Sequence, residues 1–273
     1  MSDAPIGIFD SGMGGLTVLR ALMAKLPNES FVYLGDTARL PYGTKSADTV
    51  TRYAVQASRA LMRRKVKLVV VACNTVSAVA LPALAQVLAP MPVVGVIEPG
   101  AQAAVAAAGG RTIAVIATEG TVNGGAYLRA IHALAPEIDV VQQACPLFVP
   151  LAEEGLIDGD IAEHVARHYL APLFARAKPA ALVLGCTHYP VLAPMLEKAI
   201  ARLGHSPVLV DSAATTADTV ARLLAERRLA CHAPSPAANV FLATDSTERF
   251  ARVGELFLGF PPASVELVEL QEG

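Results

Sequence analysis

Two stretches of the chain, VVVACNTVSA at 69–78 and VLGCTHYPVL at 183–192, share one design. In each, an apolar run of strand length ends on a cysteine, and small polar residues follow. Uninterrupted apolar runs are typical of strands that are buried on both faces of a parallel sheet. The repeated design predicts two copies of one unit, with Cys73 and Cys186 at matching strand ends.

The same pattern extends along the chain. Apolar runs of strand length alternate with segments of helical spacing, such as 16–26 and 49–64. This alternation predicts an α/β fold with mainly parallel sheets flanked by helices. The runs are IGIF (6–9), FVYLG (31–35), KLVVVA (67–72), PVVGVI (92–97), TIAVIA (112–117), DVVQQA (139–144), ALVLG (181–185), PVLVD (207–211) and NVFLAT (239–244).

A second internal similarity also indicates duplication. Residues 6–22 and 112–131 both contain a strand, a polar turn, paired glycines and a helix with Leu-Arg-Ala. We therefore expect two pseudo-symmetric domains, with a site in the cleft at the carboxyl ends of their strands. Because the last strand follows the second copy, the first domain is predicted to be discontinuous. Its predicted parts are 1–97 and 211–273, and the second domain is predicted at 98–210.

Composition excludes several classes of protein. With 53% hydrophobic and 17% charged residues among 273, the chain is not expected to be disordered. A net charge of −2 argues against a nucleic-acid partner. The start, MSDAPIGIFDSG, does not resemble a signal peptide, so a cytoplasmic protein with reduced thiols is expected. Residues 68–97 carry no charge but divide into strand, helix and strand, so no membrane span is predicted.

The two strand-end cysteines have the strongest chemical signal. Each is predicted to lie just ahead of a helix, with Asn74, Thr75 and Thr187 as capping residues. The partial positive charge of a helix start favours the reactive thiolate. Either cysteine alone could be a small buried hydrophobe, but two in matching positions favour chemistry. The other two cysteines, Cys145 and Cys231, lack this context and are predicted to be structural.

Asp10 opens the sequence DSGMGG, in which Gly12, Gly14 and Gly15 predict a loop that can approach a ligand or hold an anion. The loop matches neither the dinucleotide fingerprint nor the P-loop. Asp10 is thus a candidate to support a nearby thiol or amine, although it could merely cap the next helix.

Further polar residues are candidates for the same cleft. Asp36, Tyr42 and Gly43 follow a strand, although Pro41 and Gly43 would also suit a simple turn. Only one of the adjacent residues Glu153 and Glu154 can point inward from a regular helix.

The histidines suggest chemistry at one place only. His188 is close enough to Cys186 to share its proton, although it could be an ordinary buried histidine. His164 and His168 have the spacing of a zinc pair but lack a third ligand, so they are predicted to be surface residues and no metal is expected.

Two thiols in one site without a metal motif have few uses. A disulfide oxidoreductase would place them as C-x-x-C, and a hydrolase needs only one nucleophile. A pair of thiols on opposite faces of a carbon suits a racemase that needs no cofactor: one thiolate removes the α-proton and the other thiol returns one.

Five motifs in order now resemble the glutamate racemases of the aspartate/glutamate racemase family, over roughly residues 6–260. They are DSGMGG (10–15), GDTARLPYG (35–43), ACNT (72–75), FVPLAEEG (148–155) and GCTHYP (185–190). The resemblance implies two α/β domains with the site between them, no cofactor, and conversion of L-glutamate to D-glutamate for peptidoglycan.

The resemblance also implies a set of site residues. Cys73 and Cys186 match the catalytic cysteines, and Asp10, Glu153 and His188 match the residues that support acid–base chemistry. The choice of Glu153 over Glu154 rests on the family pattern. Positions that match substrate-binding residues, with Asp36 as a further site carboxylate, are Asp10, Ser11, Tyr42, Gly43, Asn74, Thr75, Thr187 and His188.

Two alternatives stay open: an aspartate racemase or other amino-acid racemase of the same fold, and a non-catalytic amino-acid-binding regulatory protein. The expected partner is a small-molecule substrate, glutamate, with neither nucleic acid nor membrane. The sequence leaves the oligomeric state open between a monomer and a homodimer.

Overall fold

The computed structural model of the protein describes residues 3–231 and 239–271. Within them, the strands are β1 Ile6–Asp10, β2 Phe31–Gly35, β3 Leu68–Val71, β4 Val93–Gly95, β5 Ile113–Ala117, β6 Val140–Ala144, β7 Ala181–Gly185, β8 Val208–Asp211, β9 Asn239–Ala243 and β10 Val265–Leu267. The α-helices are α1 Leu16–Lys25, α2 Ala47–Arg63, α3 Asn74–Val79, α4 Leu81–Leu88, α5 Ile97–Ala108, α6 Glu119–Gly124, α7 Ala126–Leu134, α8 Phe148–Glu153, α9 Asp160–Arg176, α10 Ala193–Arg202, α11 Ser212–Glu226 and α12 Thr247–Leu258.

The strands form two sheets, and every pairing in both sheets is parallel. The order in the first sheet is β10-β9-β2-β1-β3-β4, and the order in the second is β6-β5-β7-β8. Ile8 of β1 lies opposite Val70 of β3, and Val115 of β5 lies opposite Val183 of β7. β3 and β7 therefore have the same place, each beside the strand that begins its copy of the repeat.

Burial explains why the strands are continuously apolar. Every residue of β1, β2, β3, β5 and β7 is buried. Parallel strands joined by helical crossovers are covered on both faces, so neither face is left for polar side chains. The edge strand β6 is only half-buried, and it carries two glutamines.

The predicted α/β class with parallel sheets is confirmed. The predicted return of the chain to the first sheet is seen in the pairing of β9 with β2. Sequence reasoning missed β10, because it has three residues at a sheet edge, two of them exposed. The division into 1–97 with 211–273 and 98–210 stays a prediction, and its outer limits lie outside the described residues.

The uncharged stretch 68–97 contains β3, α3, α4 and β4. The prediction of strand, helix and strand is confirmed, with two helices in place of one. Within 3–231 and 239–271, no helix combines the length and the apolar character that a membrane crossing requires.

Candidate active site

The two cysteines lie at matching strand ends and line one cavity. Cys73 follows β3 after one residue, and Cys186 follows β7 directly. They are 5% and 6% exposed, and both contact a cavity of about 170 Å³. The cavity is also lined by these residues predicted from sequence: Ser11, Tyr42, Gly43, Asn74, Thr75, Thr187 and His188.

The surroundings of Cys73 keep the proton on its sulfur. Sγ of Cys73 lies 3.4 Å from Oγ of Ser11. Burial raises the pKa of the Cys73 thiol to about 12, and the charge of Asp10 acts in the same direction. The expectation that the helix start makes this sulfur a thiolate is therefore wrong, because desolvation outweighs the hydrogen bond from the backbone N–H of Val76.

A chain of polar side chains leads away from Cys186. Its Sγ lies 3.7 Å from Nδ1 of His188, and Nε2 of His188 lies 3.1 Å from Oε1 of Glu153. Nη2 of Arg249 donates to Oε2 of Glu153 at 2.9 Å. Burial alone would lower the pKa of His188, but the hydrogen bonds with Cys186 and Glu153 raise it to about 10. His188 is therefore an imidazolium at neutral pH, within reach of the Cys186 sulfur.

Of the two adjacent glutamates, Glu153 faces the site. Its side chain is 10% exposed, whereas that of Glu154 is 63% exposed. Burial raises the pKa of Glu153, but the interactions with His188 and then Arg249 lower it by more. The pKa of Glu153 therefore lies below its usual value. Glu153 is thus a largely buried carboxylate that accepts hydrogen bonds from two cationic groups.

The glycine-rich loop after β1 wraps Asp10. The backbone N–H of Gly12 donates to Oδ2 of Asp10 at 3.0 Å. Burial raises the pKa of Asp10, which is fully buried and does not line the cavity. A Cβ on Gly14 would lie 2.4 Å from Nδ1 of His188, so this position has no room for a side chain. The Gly12 N–H is therefore used by the Asp10 carboxyl group, and the expectation that the loop holds a ligand's anion stays a prediction.

Asp36 reaches the cavity only through Tyr42. The hydroxyl of Tyr42 donates to Oδ2 of Asp36 at 2.5 Å, and that of Thr244 donates to Oδ1 at 2.8 Å. Asp36 is fully buried and does not line the cavity, whereas Tyr42 does. In this structure the Asp36 carboxylate holds the Tyr42 ring in place, and its role as a substrate-binding carboxylate stays a prediction.

The helix after Cys73 presents a free donor to the cavity. Cys73 itself caps α3, so Asn74 and Thr75 are its first helical residues and the prediction that they cap it is wrong. The Tyr127 hydroxyl donates to Oδ1 of Asn74 at 2.8 Å, and Nδ2 of Asn74 is buried without a protein partner. Oγ1 of Thr75 lies 3.0 Å from Oγ1 of Thr118, which follows β5.

The backbone after Cys186 differs from the backbone after Cys73. A short 3₁₀ helix, Tyr189–Leu192, follows in place of an α-helix, and His188 precedes its first residue. Thr187 lines the cavity, and its carbonyl accepts a hydrogen bond from Oγ1 of Thr17 at 3.3 Å. The prediction that Thr187 caps an α-helix is therefore wrong.

Comparison with known proteins agrees with this geometry. Residues 16–220 match the family model described as Asp/Glu/Hydantoin racemase. A glutamate racemase of Geobacter metallireducens is 49% identical over 266 residues, with 97% of each chain covered. This chain belongs to the Asp/Glu/hydantoin racemase family. As a member of this family it is an isomerase.

Solved structures of glutamate racemases have the same fold. The Francisella tularensis protein, in complex with D-glutamate, is 38% identical with a TM-score of 0.92 and 99% of each chain covered. The Thermus thermophilus protein, in complex with β-chloro-D-alanine, is 45% identical with a TM-score of 0.86 and 98% of each chain covered. The racemase described above therefore resembles these proteins over its whole length.

Several neighbours of the racemase site escaped sequence reasoning. Tyr127 and Arg249 approach it from α7 and α12, and Thr118, Glu119 and Val149 line the cavity. Only the resemblance between 6–22 and 112–131 could have indicated Thr118, because it follows β5 as Ser11 follows β1. Tyr127 and Arg249 lie in ordinary helical patterns with no local signal.

The remaining predictions concern metals and other residues. Across the described ranges, no three His, Cys, Asp or Glu side chains are grouped so as to hold a metal ion. His164 and His168 are exposed, which confirms the prediction that they are surface residues. Cys145 is buried away from the cavity, and Cys231 lies beside Asp3.

Proposed function

We propose that this racemase interconverts L- and D-glutamate with Cys73 and Cys186 as its two proton carriers. The observation that carries the proposal is the placement of two free thiols at matching strand ends on one cavity. A different proton partner stands beside each thiol. A protein that only binds an amino acid needs no such pair, so catalysis is favoured over a regulatory binding role.

The reaction transfers one proton at each face of the α-carbon. One cysteine thiolate takes the α-proton, so a C–H bond breaks and an S–H bond forms. The electron pair left on carbon is delocalised into the α-carboxylate. The thiol on the opposite face then gives its proton to the carbon, so its S–H bond breaks and a C–H bond forms. The two sulfurs have exchanged protonation states, and the pair returns to its first state by the reverse reaction or by proton exchange with solvent.

The cavity supplies donors for the charge that develops during this reaction. Nδ2 of Asn74 is buried without a protein partner and can donate to a carboxylate, and Ser11, Thr75 and Thr187 also line the cavity. Such prepositioned donors stabilise a developing anion in a site from which water is excluded. Tyr42 and Gly43 complete the proposed substrate-binding set. Asp10, Glu153 and His188 act through the two thiols.

The polar neighbours of the thiols suggest a resting state. The high pKa of Cys73 makes it the proton donor of the free protein, and Asp10 holds it in that form. Cys186 acts first as the base, with the protonated ring of His188 beside its sulfur. Neither role requires a cofactor, since both use side chains of this chain.

Glutamate is proposed over aspartate because the similar proteins are glutamate racemases. A site matched to the longer side chain leaves donors unpaired when aspartate binds, at about 1–3 kcal/mol for each buried group. We propose that the enzyme acts in the cytoplasm and that its product, D-glutamate, is used for peptidoglycan. A homodimer is the proposed assembly, and the two domains are proposed to be 1–97 with 211–273 and 98–210.

A racemisation assay tests the proposed function. Purified protein, dialysed against a chelator and a carbonyl trap, is given the L- and D-forms of glutamate and aspartate, and optical rotation is followed. Both glutamate enantiomers should be racemised, with turnover above that of aspartate. Faster turnover of aspartate would overturn the substrate. Activity that returns only with added zinc or pyridoxal phosphate would overturn the cofactor-free mechanism.

A further inference from the structure

Helix α12 contacts the Cys186 side of the site, although it follows β9 of the first sheet. Phe257 of α12 packs edge-on against the His188 ring, with ring centroids 5.1 Å apart and an interplanar angle of 76°. Arg249, in the first turn of the same helix, donates from Nη2 to Oε2 of Glu153 at 2.9 Å. Glu153 ends α8, which lies in the part of the chain that builds the second sheet. The contact therefore joins the two halves of the molecule.

The two carboxylate oxygens of Glu153 have separate partners. Oε1 lies beside Nε2 of His188, and Oε2 accepts from Arg249. Two charge-assisted hydrogen bonds at opposite oxygens fix the rotation of a carboxylate about its last bond. Arg249 also lies 3.8 Å from Glu154, but that carboxylate is largely exposed. The other charged groups that face His188 are Asp10 and, when it is ionised, Cys186.

The residues just before α12 are held by hydrogen bonds to the loop that follows β2. Oγ1 of Thr37 donates to the carbonyl of Asp245 at 2.7 Å and accepts from its N–H at 2.9 Å. Next to it, Thr244 donates to the carboxylate of Asp36, which holds Tyr42. Arg249 therefore lies in the first turn of a helix whose preceding residues are held by Asp36 and Thr37 of the first half of the chain.

From these contacts we infer that Arg249 is a positioning residue for proton transfer at Cys186. It fixes Glu153, which holds His188 against the sulfur of Cys186, and it has no such connection to Cys73. This inference rests on the proposed two-thiol function. The side chain of Arg249 is 40% exposed, so its ion pair adds little to the stability of the fold. Loss of the Arg249 side chain should therefore slow proton transfer at Cys186 and leave that at Cys73 unchanged.

The test measures each thiol separately. Arg249→Met is introduced into Cys73→Ala, where only Cys186 can exchange the α-hydrogen, and into Cys186→Ala, where only Cys73 can. Uptake of α-deuterium into L- and D-glutamate is followed by NMR in deuterated water. Exchange through Cys186 should fall about tenfold, as expected for the loss of one charge-assisted hydrogen bond, while exchange through Cys73 stays within about twofold. The matched control is Arg252→Met, an exposed position on the same helix, which should change neither rate.

A second measurement covers the case in which the single-cysteine variants do not exchange. Iodoacetamide labels the thiols of the otherwise wild-type protein, and mass spectrometry follows Cys186 with the partly exposed Cys231 as the internal reference. Arg249→Met should slow labelling of Cys186 about tenfold relative to Cys231, and Arg249→Lys, which keeps the charge, should recover part of that loss. A melting temperature within about 4 °C of the parent shows that the variant is folded.

The outcomes separate the inference from the function on which it rests. If both exchange rates fall together, or if neither exchange nor relative labelling changes, Arg249 does not position the Cys186 side and the inference is overturned. If neither single-cysteine variant exchanges, the two-thiol function is contradicted, and the labelling ratio alone decides whether Arg249 acts on Cys186.

Discussion

The two cysteines have equivalent places in two sheets of one design, yet their surroundings differ in charge. Cys73 caps a helix, contacts the hydroxyl of Ser11 and lies under the influence of the Asp10 carboxylate. Cys186 precedes a 3₁₀ turn and contacts the cationic ring of His188. Strand position therefore brings the sulfurs to one cavity, whereas the neighbouring side chains give the two sulfurs different polar partners.

This difference matters because a racemase of this kind needs one acid and one base at the same time. Two identical thiol sites would both be protonated, or both ionised, at a given pH. Burial, and then the charge of Asp10, raise the pKa of the Cys73 thiol to about 12. On the other side, the cationic ring of His188 lies 3.7 Å from the Cys186 sulfur and is held there by Glu153. The near-symmetry of the fold and the asymmetry of its polar groups are thus both part of the proposed mechanism.

The largest effect on racemisation is expected when either of the two sulfurs is replaced. Cys73→Ser and Cys186→Ser should each reduce racemisation by about 10²–10⁴-fold in both directions, because each direction needs one acid and one base. Rates from either enantiomer, measured by circular dichroism, check this. Cys145→Ser, at a buried cysteine that does not line the cavity, is the control and should retain the parent rate per folded molecule. A well-folded Cys73 or Cys186 variant with near-parent activity would show that its sulfur is dispensable.

A smaller effect is expected at Glu153, which contacts His188 and not a sulfur. Glu153→Gln removes the negative charge that His188 needs, and kcat/KM should fall about 10- to 100-fold. The fall should be equal for both enantiomers, since the equilibrium constant of a racemisation is one. The neighbouring change Glu154→Gln, at an exposed carboxylate, should stay within about twofold. Equal losses in the two variants would contradict the assignment of Glu153 to the Cys186 side.

The smallest effect concerns stability and pH. The pKa of His188 in the folded protein, about 10, lies above its ordinary value of 6.5. The protonated ring therefore stabilises the fold fully below pH 6.5, and this contribution is lost as the pH rises towards 10. Between these pH values the melting temperature should fall by about 5 °C more in the parent than in His188→Gln. His168→Gln, an exposed histidine, should follow the parent curve, and a parallel fall in all three proteins would remove His188 as the cause.

The sequence was informative wherever the pattern was local. Continuous apolar runs identify β1, β3, β5 and β7, and the strand–cysteine–polar pattern identifies Cys73 and Cys186, because burial and chain direction constrain these residues within a few positions. Local spacing could not reveal a hydrogen bond between distant segments. Arg249 and Glu153 belong to different helices, and so do Tyr127 and Asn74.

Local spacing also could not reveal how burial and distant partners act on a residue. The Cys73 sulfur was expected to be a thiolate from its helix start, but desolvation is stronger, and the degree of burial depends on the whole fold. The Asp36 carboxylate accepts hydrogen bonds from the hydroxyls of Tyr42 and Thr244, and Thr244 lies far from it in sequence.

The most direct test of the two-thiol account is α-deuterium uptake by Cys73→Ala and Cys186→Ala. Each folded variant is incubated in deuterated water with L-glutamate and with D-glutamate, and loss of the α-proton signal is followed by NMR. The account predicts residual exchange with opposite preference: the enantiomer that one variant still exchanges is the one that the other does not. Exchange of the same enantiomer by both variants, or racemisation by either at near the parent rate, would contradict the claim that Cys73 and Cys186 serve opposite faces of the substrate.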